Sequence, residues 1–222
     1  MIITIDGPAG SGKSTVANIL AEKLGFIHFN SGSLYRAITA YFYEQRFNIE
    51  NIKTNSPIPQ FDLKVIMVDD IQHCFVNNID YTPTLRENHI SQLVAFVGQN
   101  KHCRAKIDEC QKEFCSTHNV VMEGRDLGSF VFPDAEVKFY LDCSVEERAR
   151  RRFLEVRQKD THISLEEIKK QIEERDHLDK TREIAPLVVP KNAVIINSSS
   201  LTVDEVVNKM LIHVNKSKHC GI

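Results

Sequence analysis

The 222-residue chain has no apolar run approaching the length of a membrane span, so a helical membrane protein is not expected. A basic leader region is also missing. The first residues read instead as a core strand, which points to a cytosolic protein. Charge of one sign is not in excess: 28 Lys and Arg stand against 30 Asp and Glu, with a pI near 6.5. That balance gives no reason to expect a nucleic-acid partner. No two of the six cysteines form a C-x-x-C pair. Cys74, Cys103, Cys110, Cys115, Cys143 and Cys220 are spaced for neither a zinc ribbon nor a finger and read as free thiols. Repeats and low-complexity tracts are absent too. What remains is a chain long enough for one core with elaborations.

The most informative stretch is the first. Met1-Ile2-Ile3-Thr4-Ile5 has the β-branched, apolar composition of a buried strand. It leads through Asp6 into Gly7-Pro8-Ala9-Gly10-Ser11-Gly12-Lys13-Ser14, a complete G-x-x-x-x-G-K-[ST] phosphate loop, followed by Thr15. Val16, Ala17, Ile19, Leu20, Ala21 and Leu24 then recur at helical spacing, and Gly25 is placed to end the helix. Glycines let several backbone N–H groups turn toward one phosphate, and the helix adds the positive end of its dipole. Lys13 supplies a mobile cation for the β- and γ-phosphates, and the Ser14 hydroxyl is a candidate ligand for Mg²⁺. This pattern implies nucleoside triphosphate binding.

Further along, a short strand at Phe26-Ile27-His28-Phe29 runs into an Asn30-Ser31-Gly32-Ser33 cap and a helix that carries Arg36. Arg36 reads equally well as a solvated surface arginine or as an anion ligand. Prolines at 57, 59 and 83 bracket a stretch that alternates as strands do, with Asn77-Asn78 suited to a tight turn. It predicts a small antiparallel insertion. Two helices follow, at about 84–96 and 101–115. The strand Asn119-Val120-Val121-Met122 then delivers Glu123-Gly124-Arg125-Asp126 at its carboxyl end, where ligands sit in open α/β sheets. A strand at 137–141 precedes a helix capped by Ser144, which carries Arg148, Arg150, Arg151 and Arg152. Arg148, Arg151 and Arg152 share a face by spacing, either as a solvated surface or as charges for phosphoryl transfer. Ser164 caps the next helix. Arg175, Asp179 and Arg182 follow one another there at spacings of four and three, which one exposed ion-pair ladder would also explain. A last strand at 193–196 and a helix capped by Thr202 close the chain.

Together, the phosphate loop, Ser31-Gly32 with Tyr35-Arg36, Gly124-Arg125-Asp126, Glu147-Arg148, and Arg175-Asp176 with Asp179 and Arg182 resemble the bacterial cytidylate kinase family over essentially the whole chain. The resemblance implies a three-layer α/β/α fold with a central parallel sheet. In that arrangement residues 1–30, 84–147 and 170–222 form the core of a single domain. A β-rich insertion at about 31–83, reaching toward 100, takes the monophosphate, and a short helical lid covers about 148–169. The implied activity is transfer of the ATP γ-phosphate to CMP or dCMP with Mg²⁺; nothing in the sequence demands more than a monomer. By the resemblance, Ser31, Arg36, Gly124, Arg125 and Asp126 belong to the monophosphate site. Ser91 and Arg104 read the cytosine, Arg175 and Asp179 contact the pentose, and Arg182 reaches the phosphates. Arg148, Arg151 and Arg152 belong to the lid. Glu123 stands where the family commonly has aspartate, and the stretch from Phe96 to Arg104 is a few residues longer than usual. A related kinase for UMP or another small acceptor is the nearest alternative. A GTP-hydrolysing switch is disfavoured because neither Asn-Lys-x-Asp nor Asp-x-x-Gly occurs in the expected places.

Overall fold

The computed structural model describes residues 1–157 and 163–219. In chain order the elements are β1 (Ile2–Asp6), α1 (Lys13–Leu24), β2 (Ile27–Asn30), α2 (Ser31–Glu44), β3 (Leu63–Val68), β4 (Ile71–Val76) and β5 (Ile79–Asp80). They continue with α3 (Asn88–Val97), α4 (Lys101–Cys115), β6 (Val120–Gly124), β7 (Val137–Asp142), α5 (Val145–Val156), α6 (Leu165–Thr181), β8 (Val194–Asn197) and α7 (Val203–His219). A single π-helical turn, Leu127–Val131, follows β6. The chain divides into two compact units, one of Met1–Phe26 with Val121–Ile222 and the other of Ile27–Val120.

In the first unit the strands lie in the order β6-β1-β7-β8. β1 pairs parallel to β7, and β7 pairs parallel to β8. Parallel strands are covered on both faces, which is why β1 and β7 read as near-continuous apolar runs. Ile3, Ile5, Leu20, Phe139, Leu141, Val207 and Met210 are wholly buried, and each contributes about 1.5–3 kcal/mol by leaving water. The helices here have the ends the sequence predicts. Ser144 Oγ accepts the Glu147 N–H, and Ser164 and Glu167 form a reciprocal capping box. Thr202 and Glu205 do the same at the start of α7.

The second unit holds an antiparallel sheet in the order β3-β4-β5. Two tight turns shape it. The expected one is Asn77-Asn78, and the sequence reading did not single out Asp69-Asp70; all four residues have positive φ, between 49° and 64°. The Gln72 side chain donates to the Asn30 carbonyl and accepts the Asn30 N–H, tying β4 to the start of α2. Phe42 packs with Phe47 and Phe61, and Phe29 with Phe114, giving this unit its own apolar centre. Cys74, Cys103 and Cys115 are buried free thiols here, and Cys143 is one in the first unit; Cys220 lies outside the described residues. Among the described residues, no helix is long and apolar enough to cross a membrane.

Candidate active site

At the carboxyl end of β1 the chain enters the phosphate loop. A Cβ on Gly7 would stand 2.2 Å from the Leu141 carbonyl oxygen, so this position admits only glycine. α1 starts after Gly12, which has φ 92° and offers no side chain to cap the helix. The first N–H groups of α1 are therefore left without a capping side chain, the arrangement an anion uses. Lys13 Nζ is buried and donates to the Pro8 carbonyl at 2.7 Å and to Ser11 Oγ at 3.3 Å. Burial, and secondly the charge of Arg125, hold its pKa well below that of an ordinary lysine, against the pull of Glu123, Asp6 and Asp179. An anionic phosphate placed beside it would reverse that shift.

Other elements brace the loop. Ser198, at the end of β8, donates from Oγ to the Ser11 carbonyl at 3.1 Å. Arg148 is buried and donates to the carbonyls of Cys143 and Ala9 at 3.0 Å each and to Asp176 Oδ2 at 2.6 Å. Arg151 donates to Glu147 and to the Ser198 carbonyl, and its guanidinium reaches within 3.7 Å of where a Gly12 Cβ would stand. The three α5 arginines that share a face by spacing thus occupy three environments. Arg148 lies under the loop and Arg151 beside it, while Arg152 is on the surface, donating to Glu155 at 3.0 Å.

Next to the loop is a carboxylate that gathers arginines. Asp179 Oδ2 accepts from Arg125 Nε at 3.0 Å and from Arg175 Nε at 3.2 Å, and Arg182 Nη1 lies 3.9 Å from Oδ1. Arg182 Nη2 is 3.0 Å from Asp126 Oδ1, an ion pair without hydrogen-bond alignment, and its Nε donates to the Ala185 carbonyl. Burial raises the Asp179 pKa, but Arg175, Arg125 and Arg182 together outweigh it and bring the pKa down to about 2. The Arg175–Asp179–Arg182 spacing seen in the sequence is therefore a cluster around a buried carboxylate.

Oxygen donors for a cation are also present. Ser14 Oγ donates to Glu123 Oε2 at 2.7 Å, so the phosphate-loop hydroxyl and the residue that departs from the family pattern act as a pair. Among the described residues, no cluster of three His, Cys, Asp or Glu could hold a metal alone. Two hard oxygen donors suit Mg²⁺, which rarely uses an all-protein cage.

The second unit holds the remaining candidates. Ser31 is buried, and its Oγ donates to Gln111 Oε1 at 3.0 Å. Arg36 folds over the first turn of α2, where a Cβ on Gly32 would meet its Nη1 at 2.8 Å. Arg104, at 2% exposure, donates to the Gly98 carbonyl and lies 5.7 Å over the Tyr35 ring. Ser91 lies in α3, half-buried.

A model of the family described as "Cytidylate kinase" matches residues 3–216. The chain belongs to the cytidylate kinase family. A cytidylate kinase of Carboxydothermus hydrogenoformans is 42% identical over 95% of this chain and 96% of its own length. One of Fusobacterium nucleatum is 36% identical over 98% and 99%. Among solved structures, an uncharacterized protein of Eubacterium ventriosum aligns over 97% of this chain and 98% of its own, with a TM-score of 0.53 at 12% identity. TT1252 of Thermus thermophilus aligns over 97% and 96%, with a TM-score of 0.50 at 17% identity; both likenesses concern the fold alone.

Within this cytidylate kinase family member, Lys13, Ser14, Arg125, Asp126, Arg148, Arg151, Arg175, Asp179 and Arg182 gather in the first unit. Ser31, Arg36, Ser91 and Arg104 lie in the second. The sequence reading missed three supporting residues. Gln111 and Ser198 carry no local signal, because each acts on a distant partner. Asp6 stands directly before the loop motif and is buried. Its Oδ1 accepts the Leu127 N–H at 2.9 Å, and its Oδ2 accepts the Gly128 N–H at 2.7 Å. Burial, assisted by Asp126, raises its pKa to about 6, against those two N–H groups and Lys13.

Proposed function

We propose that this chain transfers the γ-phosphoryl group of ATP to CMP or dCMP, giving ADP and CDP or dCDP. One observation carries the reading: a phosphate loop with a buried lysine stands beside three half-buried arginines gathered on the buried carboxylates of Asp179 and Asp126. The names of the relatives support CMP as the acceptor.

The acceptor phosphate has a second pKa of about 6, so at neutral pH its attacking oxygen is largely anionic and needs no protein base. It attacks the γ-phosphorus in line, and the bond from that phosphorus to the bridging oxygen breaks, releasing ADP. Charge neutralisation is what the protein adds. Lys13 exchanges the Pro8 carbonyl for β- and γ-oxygens. Arg125 and Arg182 exchange carboxylates for the phosphates, while Arg175 and Asp179 hold the pentose. Ser14 and Glu123 are the residues that would hold Mg²⁺, which when bound neutralises charge at the β- and γ-phosphates. Ser31 and Arg36 take the acceptor phosphate side, and Ser91 and Arg104 read the base. Arg148, Arg151 and Arg152 belong to a lid at about 148–169, of which residues 158–162 lie outside the described part. Closure excludes water and so limits hydrolysis of ATP. Residues about 31–83, reaching toward 100, form the acceptor-binding insertion of a single domain that acts as a cytosolic monomer.

The test is release of ADP from Mg-ATP with CMP, dCMP, UMP, AMP and GMP. Turnover confined to CMP and dCMP is expected. Preference for another acceptor would discard the base-reading roles of Ser91 and Arg104, and turnover independent of any acceptor would discard the transferase reading.

A further inference from the structure

Asp6 takes no part in the chemistry above, yet it is a wholly buried carboxylate one residue before the phosphate loop. Both its oxygens are used, one each on the N–H groups of Leu127 and Gly128. Those groups begin the π-helical turn Leu127–Val131, whose flanking residue Asp126 provides no side-chain cap. Asp6 therefore caps the turn from a different element, in place of a local Ser or Asp. The fit is close. A Cβ on Gly128 would stand 2.7 Å from the buried Thr4 Oγ1, so the turn rests directly against β1. The two residues immediately before it are Arg125 and Asp126, which hold Asp179 and Arg182.

We propose that Asp6 is a positioning residue that clamps the peptide carrying Arg125 and Asp126 to the end of β1, and so sets the grip on the acceptor phosphate. The role rests on the kinase reading above. The carboxylate of Asp6 makes no direct contact with either phosphate. It acts through Arg125, by fixing where that residue's backbone lies.

Asp6→Asn keeps the shape but turns an amide N–H toward one of the two backbone N–H groups. Leaving a buried donor unpaired loosens the turn, and KM for CMP rises about tenfold. ADP affinity, measured by equilibrium binding, stays within about twofold, because the phosphate loop keeps its own contacts. In an Arg125→Ala background the same substitution lowers kcat/KM by no more than about twofold, since the residue it acts through is already gone. A general loss of packing would instead lower ADP affinity alongside and persist in that background; either result overturns the proposal, as does an unchanged KM.

Amide hydrogen exchange gives a readout that needs neither the variant nor an acceptor. In the wild-type protein the Leu127 and Gly128 amides exchange as slowly as those of β1, and exchange at the rate of an exposed turn would overturn the clamp. Should wild-type protein fail to phosphorylate CMP, the kinase reading falls while amide exchange still judges the clamp.

Discussion

The arginines of α5 and those around α6 look alike in sequence, as charged residues repeating every three or four positions, yet the structure treats them in opposite ways. Around α6, Arg125, Arg175 and Arg182 converge on one carboxylate, Asp179, which is 3% exposed. On α5, Arg150 pairs with Glu147 and Arg152 with Glu155, and the two arginine side chains are 58% and 44% exposed. Periodicity places charges on a face; whether that face is wet decides what they are worth. The buried cluster holds several like charges together, which is useful where anions must be received. The exposed pairs are screened and nearly neutral in effect. Arg148 belongs with the buried set although it lies on the other helix, because it faces Ala9 and Asp176.

Asp179→Ala should break this contrast most strongly. It removes the buried common partner of three half-buried guanidinium groups, so thermal unfolding is expected to shift down by about 10 °C, corresponding to about 3 kcal/mol, with loss of CMP turnover. An unchanged melting temperature would mean the cluster is effectively solvated. Acid should act in the same direction. The Asp179 pKa is depressed from 3.8 to about 2, so its stabilisation is complete above 3.8 and is lost as pH falls toward about 2. That loss, about 2 kcal/mol, should persist in about 1 M salt, whereas the partly exposed pairs of Glu147, whose own pKa is also depressed to about 2, should be screened out. Asp6 has the opposite sign, its pKa being raised from 3.8 to about 6. Its contribution is full below 3.8 and is lost as pH rises through about 6. Smaller still is the expected contrast within α5. Arg152→Ala should lower kcat about tenfold with unchanged melting temperature, as a charge used only on lid closure. Arg150→Ala should change neither, since Arg151 still pairs with Glu147. Equal kinetic effects from the two substitutions would remove Arg152 from the lid.

Much of this was legible because it is local. The phosphate loop is a contiguous motif between a strand and a helix, and the Ser144, Ser164 and Thr202 caps each act on residues three positions ahead. The Arg175, Asp179 and Arg182 stripe was visible as spacing, but its burial was not. Burial depends on Arg125 and Asp126, which come from a loop some fifty residues away in the chain. The π-helical turn was illegible for the same reason, since its first N–H groups are satisfied by Asp6 from another strand. Arg148 could not be told from Arg150, Arg151 and Arg152 because the difference lies in what each one faces.

The buried thiols have a practical consequence. Burial pushes Cys74, Cys103 and Cys115 up to about 12, so at neutral pH scarcely any thiolate is available to react. Alkylation there must wait for the second unit to open, while Cys143 reports on the first. Pulse labelling read by mass spectrometry therefore turns the native cysteines into separate clocks for the two units, without a probe having to be introduced.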